Sequence, residues 1–185
     1  MNEKIEIKIL SHKFLSDDPT EPCSHGQLLI RINDRVISSE EDGDWVINEA
    51  ALALMRTVKY GYPNSKVAPP VYFFEGISED TLINCCGVYM LFCPSSIKWN
   101  VTLLDDDIKL SNFVKNELVL YPGDEVIVPA QEYAIVIYNF AIETYKFFEG
   151  RRNIKSEWEQ FEGQIESFWN EYEELMKYIE GNFVV

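Results

Sequence analysis

The sequence predicts an α+β fold: an antiparallel β meander, one helix inserted after the first hairpin, and two C-terminal helices packed on the sheet. Three observations predict it. Short runs with period-two alternation, separated by turn residues, fill the first two-thirds of the chain. Two long helical runs fill the last third. The 185 residues are 46% apolar, enough for one core, and neither an interdomain linker nor a repeat interrupts them, so a single domain spanning 1–185 is expected.

Ile5, Ile7 and Ile9 alternate with charged residues and read as an opening strand with one buried face. The polar stretch Ser16 to Pro22 breaks it. Leu28, Ile30 and Ile32 alternate again, and Asn33-Asp34 turns into Arg35-Val36-Ile37-Ser38, so 26–38 reads as a hairpin. After the acidic loop Glu40-Glu41-Asp42-Gly43-Asp44, Asn48 suits an N-cap with Glu49 at the positive end of a helix over 48–60, stopped by Gly61 and Pro63.

Residues 62–84 read as loop, with an apolar patch at Val71-Tyr72-Phe73-Phe74. Short β-like runs follow at Gly87–Phe92, Lys98–Leu104, Ile108–Phe113 and Glu117–Tyr121, with turns expected at Asp105-Asp106-Asp107 and Pro122-Gly123. Pro129 suits the first position of a helix that runs from Gln131 to Phe148, apolar almost all round and therefore expected to be central. In the last helix, Ser156 and Glu159 form a capping-box pattern and Gly181 is placed to close the other end. Trp158, Phe161, Ile165, Phe168, Tyr172, Leu175 and Ile179 recur at spacings of three and four, which makes one aromatic stripe.

The net charge is −15, from 31 acids and 16 bases. Phosphate backbones recruit Lys and Arg, so nucleic acid and anionic membranes are excluded as expected partners. A basic protein or cationic ligand is compatible, because opposite fields speed encounter, and solubility alone is the other reading of the acidity. The acids of the last helical segment (Glu157, Glu159, Glu162, Glu166, Glu171, Glu173, Glu174 and Glu180) face a single base, Lys177. Glu162, Glu166, Glu173 and Glu174 are the candidate partner-binding residues. The N-terminus lacks a basic region followed by an apolar one, and the longest apolar stretch, Tyr133 to Ile142, is too short to span a bilayer. A cytoplasmic chain with reduced thiols is expected.

Nucleophilic catalysis by Ser or Cys needs a base, and the histidines are His12 and His25 alone. Cys23-Ser24-His25-Gly26 brings thiol, hydroxyl and imidazole within three residues, with packing as the simpler explanation. Cys23, His25, Cys85 and Cys86 are candidate zinc ligands if their segments meet, although the Cys-x-x-Cys hairpin of structural sites is missing. Adjacent Cys85 and Cys86 would make a strained ring if bonded to each other. Neither acidic run has the ligand alternation of a calcium loop, and no phosphate-binding glycine loop occurs. No catalytic residues and no cofactor are expected.

The pattern Cys23-Ser24-His25-Gly26, alternating Leu28–Ile32, Gly43-Asp44-Trp45, Asn48 to Thr57 and Cys85-Cys86-Gly87 resembles small uncharacterised bacterial proteins. Some of these look like immunity proteins of contact-dependent or polymorphic toxin systems. The resemblance covers most of the chain and implies an acidic, cytoplasmic, non-enzymatic protein that binds and neutralises a cognate toxin. It implies no particular contact residues. The alternative from the residues themselves is a small-molecule or zinc-binding domain.

Overall fold

The computed structural model describes residues 4–63, 81–86, 95–155 and 159–184. The Val71–Phe74 patch, the strand expected over Gly87–Phe92, Cys93, Ser156, Glu157 and Trp158 lie outside these residues. The architecture is α+β, with antiparallel sheets and three helices.

The opening alternation forms β1 (Ile5–Ile9), which buries Ile5 and Ile7. It pairs with β3 (Leu28–Ile32) in the register Ile5↔Ile32 and Ile7↔Ile30. The turn Asn33-Asp34 then leads into β4 (Arg35–Ser38), and Asn33 adopts φ +54, a conformation asparagine tolerates. The order β1-β3-β4 puts β3 in the middle. Between the first two strands, β2 (His25–Gly26) turns aside to pair with β5 (Trp45–Val46).

That ribbon runs straight into α1 (Ile47–Tyr60). The helix begins at Val46 without a side-chain cap, which corrects the role expected of Asn48. Asn48 is fully buried and turns its amide to another segment instead. Its Oδ1 accepts from Ser24 N–H at 3.0 Å and its Nδ2 donates to the Pro22 carbonyl at 3.1 Å. A buried amide satisfied by two long-range bonds stabilises the tertiary fold more than a frayed helix end would. Gly61 ends α1 as expected, at φ +70.

The second sheet has the order β6-β7-β8-β9. Its strands are β6 (Ile83–Asn84), β7 (Ser96–Leu103), β8 (Asp107–Lys115) and β9 (Leu118–Pro129). β6 falls where loop was expected. The Asp105–Asp107 turn is in place, but Pro122-Gly123 does not reverse the chain. The register passes from Phe113↔Leu120 to Ser111↔Glu125, so residues 121–124 oppose Asn112 alone. Asn112, Tyr121 and Gly123 take positive φ there, which makes a wide bulge rather than a turn. β9 is an edge strand, where a proline costs no ladder bond. The reversal between β8 and β9 lies at Asn116-Glu117, both left-handed.

The last two helices are α2 (Ala130–Phe147) and α3 (Gln164–Phe183). α2 is central, touching β1, β8, β9, α1 and α3. Its Tyr133 hydroxyl lies 2.7 Å from Thr57 Oγ1 of α1, and burial raises the Tyr133 pKa to about 12. α3 lays its aromatic stripe on α1 and α2, burying Phe161, Ile165, Phe168, Tyr172, Leu175 and Ile179, with Trp169 beside them. The Tyr172 hydroxyl donates to the Ala141 carbonyl at 2.8 Å. Both expected ends of α3 are corrected. The helix starts behind Gly163, whose φ of +77 breaks the backbone away from the short 3-10 turn Glu159–Phe161. It then runs past Gly181 to Phe183, since the apolar side chains continue to pay for one more turn of packing. No helix among the described residues is long and apolar enough to cross a membrane.

Two glycines give opposite predictions. A Cβ on Gly26 would stand 1.8 Å from the Ser11 carbonyl oxygen, because the chain beside β2 passes against bare backbone. Gly26→Ala is expected to cost more than about 3 kcal/mol in urea unfolding. Gly181 has open space around its Cβ and lies within α3. Gly181→Ala is expected to stabilise by about 0.5–1 kcal/mol, and a loss there would contradict the helix boundary.

Candidate functional site

Two regions hold the residues singled out by sequence: a buried polar node around Cys23–Gly26 and the outer face of α3. The node is built by backbone pairing. His25 pairs with Val46 and Gly26 with Trp45, and Lys13 closes on the other side of His25 through two backbone bonds of 2.8 and 2.9 Å. Ile47 N–H donates to the Ser24 carbonyl at 2.8 Å, which fastens the start of α1 to the same segment. Trp45 is buried, and its indole N–H donates to Ser38 Oγ at 3.1 Å.

Ser24 is fully buried and its hydroxyl lies 2.8 Å from His12 Nε2. The His12 ring stacks on Phe147 with centroids 3.6 Å apart. Sequence reasoning watched His25 and missed this pair, because Ser24 and His12 lie twelve residues apart on segments whose approach no local pattern encodes. Burial lowers the His12 pKa to about 4, so the ring is neutral at physiological pH. Ser24 is enclosed, and with His12 stacked on Phe147 the pair ties the segment before β2 to α2 as a structural clamp.

Cys23 and His25 share an electrostatic neighbour in Glu21. Burial raises the Cys23 thiol well above its ordinary pKa, and Glu49, Glu21 and Cys86 push the same way. A thiol held protonated is a poor nucleophile and a poor metal ligand. Burial lowers the His25 pKa against the pull of Glu21 and Asp44, and its Nδ1 has no hydrogen-bond partner among the described residues. Cys85 and Cys86 follow β6, both half-buried. Among the described residues no three His, Cys, Asp or Glu side chains are placed to share a metal ion, so Cys23, His25, Cys85 and Cys86 do not assemble into the zinc set considered from sequence. The acidic loop is likewise structural. Ser39 caps a 3-10 turn over Glu40–Asp42, while Asp42 pairs with Lys115 and Asp44 with Lys13 at 2.7 Å each.

Comparison of the chain with protein-family models, with curated proteins and with solved structures finds no match in any of the three.

The four candidate glutamates, Glu162 in the turn before α3 and Glu166, Glu173 and Glu174 on it, part company. Glu173 is half-buried and accepts from the Tyr145 hydroxyl at 2.6 Å, and the Arg152 guanidinium lies over the Tyr145 ring at 3.9 Å. Glu162, Glu166 and Glu174 are exposed and take part in no ion pair among the described residues. Glu162 and Glu166 line a hollow of about 590 Å³ with Glu159 and Lys155. Glu174 borders a cleft of about 560 Å³ between α1 and α3, beside Ser167, Asn170 and Glu171. At the back of that cleft Arg56, only 4% exposed, grips Glu171 with both Nε, at 2.8 Å, and Nη2. Arg56 is the residue of this region that sequence reasoning missed, since a lone Arg in an apolar helix carries no sign of its partner 115 residues away.

The His12 clamp predicts an acid limb of stability. Its folded pKa of about 4 lies below the ordinary value of 6.5, so the unfolded chain binds the proton first. The stabilisation is complete above about pH 6.5 and is lost as pH falls toward 4. Thermal unfolding from pH 7 to 4.5 should show a smaller drop in Tm for His12→Gln than for the native chain. Equal drops would contradict the assignment.

Proposed function

We propose that the chain is a non-enzymatic protein-binding module that takes a basic protein partner on the outer face of α3 and the turn before it, with Glu162, Glu166 and Glu174 as contact residues. One observation carries the reading: these acids are exposed, take part in no ion pair among the described residues, and lie on one helical segment with Glu159 and Glu180 against the single base Lys177, whereas several acids elsewhere hold cations. Lys8 and Arg31 meet Glu6, Lys13 meets Asp44, Arg35 meets Asp124, Lys109 meets Glu125 and Lys115 meets Asp42. A run of exposed acids on one segment steers a cationic partner. The resemblance to toxin-immunity proteins supplies the class of partner, a cognate toxin neutralised by binding in the cytoplasm. Of the segments that carry this resemblance, Cys23 to Gly26 and the start of α1 are buried parts of the node, and the proposed contact residues lie outside these segments.

Association kinetics test the reading. The protein tested as partner is the product of the neighbouring gene, and the variant is Glu162→Gln/Glu166→Gln/Glu174→Gln. Outer charges act mainly on encounter, so the variant should associate about tenfold more slowly at low salt, with a weaker salt dependence and a similar dissociation rate. Unchanged association of the variant, or no binding by the native chain, would contradict it.

A further inference from the structure

The adjacent cysteines after β6 have a geometry of their own. Cys85 Sγ and Cys86 Sγ stand 3.3 Å apart, both half-buried and so partly open to solvent. The strand that immediately precedes them is fixed. Ile83 pairs with Ile97 and Asn84 with Ser96, and the Thr81 hydroxyl reaches the carbonyls of Ile83 and Ile97 at 3.2 Å each. The two sulfurs are therefore presented from an anchored end of the sheet.

Their separation selects among ligands. Two thiolate bonds of about 2.3 Å at a tetrahedral angle hold their sulfurs about 3.8 Å apart, as zinc requires. Two bonds of the same length at a right angle hold them about 3.3 Å apart. The bite thus fits a pyramidal, three-coordinate thiophilic centre better than a tetrahedral ion. Closure to a disulfide is disfavoured, because adjacent Cα atoms lie about 3.8 Å apart and ordinary disulfides span about 4.4–6.8 Å. Cys23 is buried and does not join them in a set of three. Among the described residues no third His, Cys, Asp or Glu joins them, and a substituent of the ligand fills the third position of the centre.

We propose that Cys85 and Cys86 form a vicinal dithiol site that chelates a trivalent, monosubstituted thiophilic centre of the organoarsenic(III) class. With phenylarsine oxide the two S–H bonds break, two As–S bonds form, and the oxygen leaves with both protons as water. Arsenic remains trivalent and nothing is oxidised or reduced.

The test treats the full, reduced chain with one equivalent of phenylarsine oxide and follows it by intact mass spectrometry. One phenylarsenic group per chain is expected, retained in excess mercaptoethanol and released by dimercaptopropanol. Cys85→Ser or Cys86→Ser should weaken retention at least tenfold, while Cys23→Ser and Cys93→Ser leave it unchanged. Chymotryptic mapping of the native adduct keeps the result decisive if a serine variant fails to fold, because Tyr89 and Phe92 lie between Cys86 and Cys93. An adduct on the peptide holding Cys85 and Cys86 supports the site. An adduct elsewhere, one stripped by the monothiol, or none at all overturns it.

Discussion

The placement of α3 depends on the pair between Arg56 and Glu171. Arg56 is buried in α1, and a buried guanidinium is tolerable only with a partner in good geometry. Glu171 provides that geometry with both carboxylate oxygens, and it can do so only from one rotation of α3. The aromatic stripe alone is compatible with small sliding or rolling of the helix, because apolar contacts are not directional. The ion pair removes that freedom. With Glu171 turned inward, Tyr172 meets the Ala141 carbonyl and Glu173 meets Tyr145, while Glu166 and Glu174 are turned out to solvent. The same contact that docks the helix thereby determines which acids are free.

A second constraint holds the first half of the chain. Gly26 lets the segment around Ser11 and Lys13 pass against β2, and Asn48 ties the first turn of α1 to Pro22 and Ser24. His12, stacked on Phe147, clamps Ser24 toward α2. Cys23, Ser24, His25 and Gly26 are thus parts of a joint between the β ribbon, α1 and α2. Their chemistry is subdued by burial: the thiol is kept protonated, the imidazole of His12 neutral, and the hydroxyl enclosed.

Much of the fold was legible because local pattern carries it. The alternation at Ile5, Ile7 and Ile9, the Asn33-Asp34 turn, the stop at Gly61 and the stripe from Phe161 to Ile179 each depend on residues close in sequence, and each is where the pattern placed it. The misreadings share a cause. Asn48 has the chemistry of a cap, yet a buried long-range use outcompetes it. Pro122-Gly123 has the chemistry of a turn, but on an edge strand it makes a bulge. Gly181 is a helix terminator only where packing ends, and here packing continues to Phe183. At the candidate site the acids were visible, whereas the division between inward Glu171 and Glu173 and outward Glu166 and Glu174 was set by Arg56 and Tyr145, which no spacing rule links to α3.

A double-mutant cycle in urea unfolding measures the coupling of Arg56 to Glu171. Glu171→Gln strands a buried charge and should cost about 3–5 kcal/mol, while Arg56→Met leaves a carboxylate that solvent can reach and should cost less. The double variant should be more stable than the sum of the single losses implies, by about 1–3 kcal/mol. Additivity within about 0.5 kcal/mol would show that the two side chains do not depend on each other, and that something else orients α3.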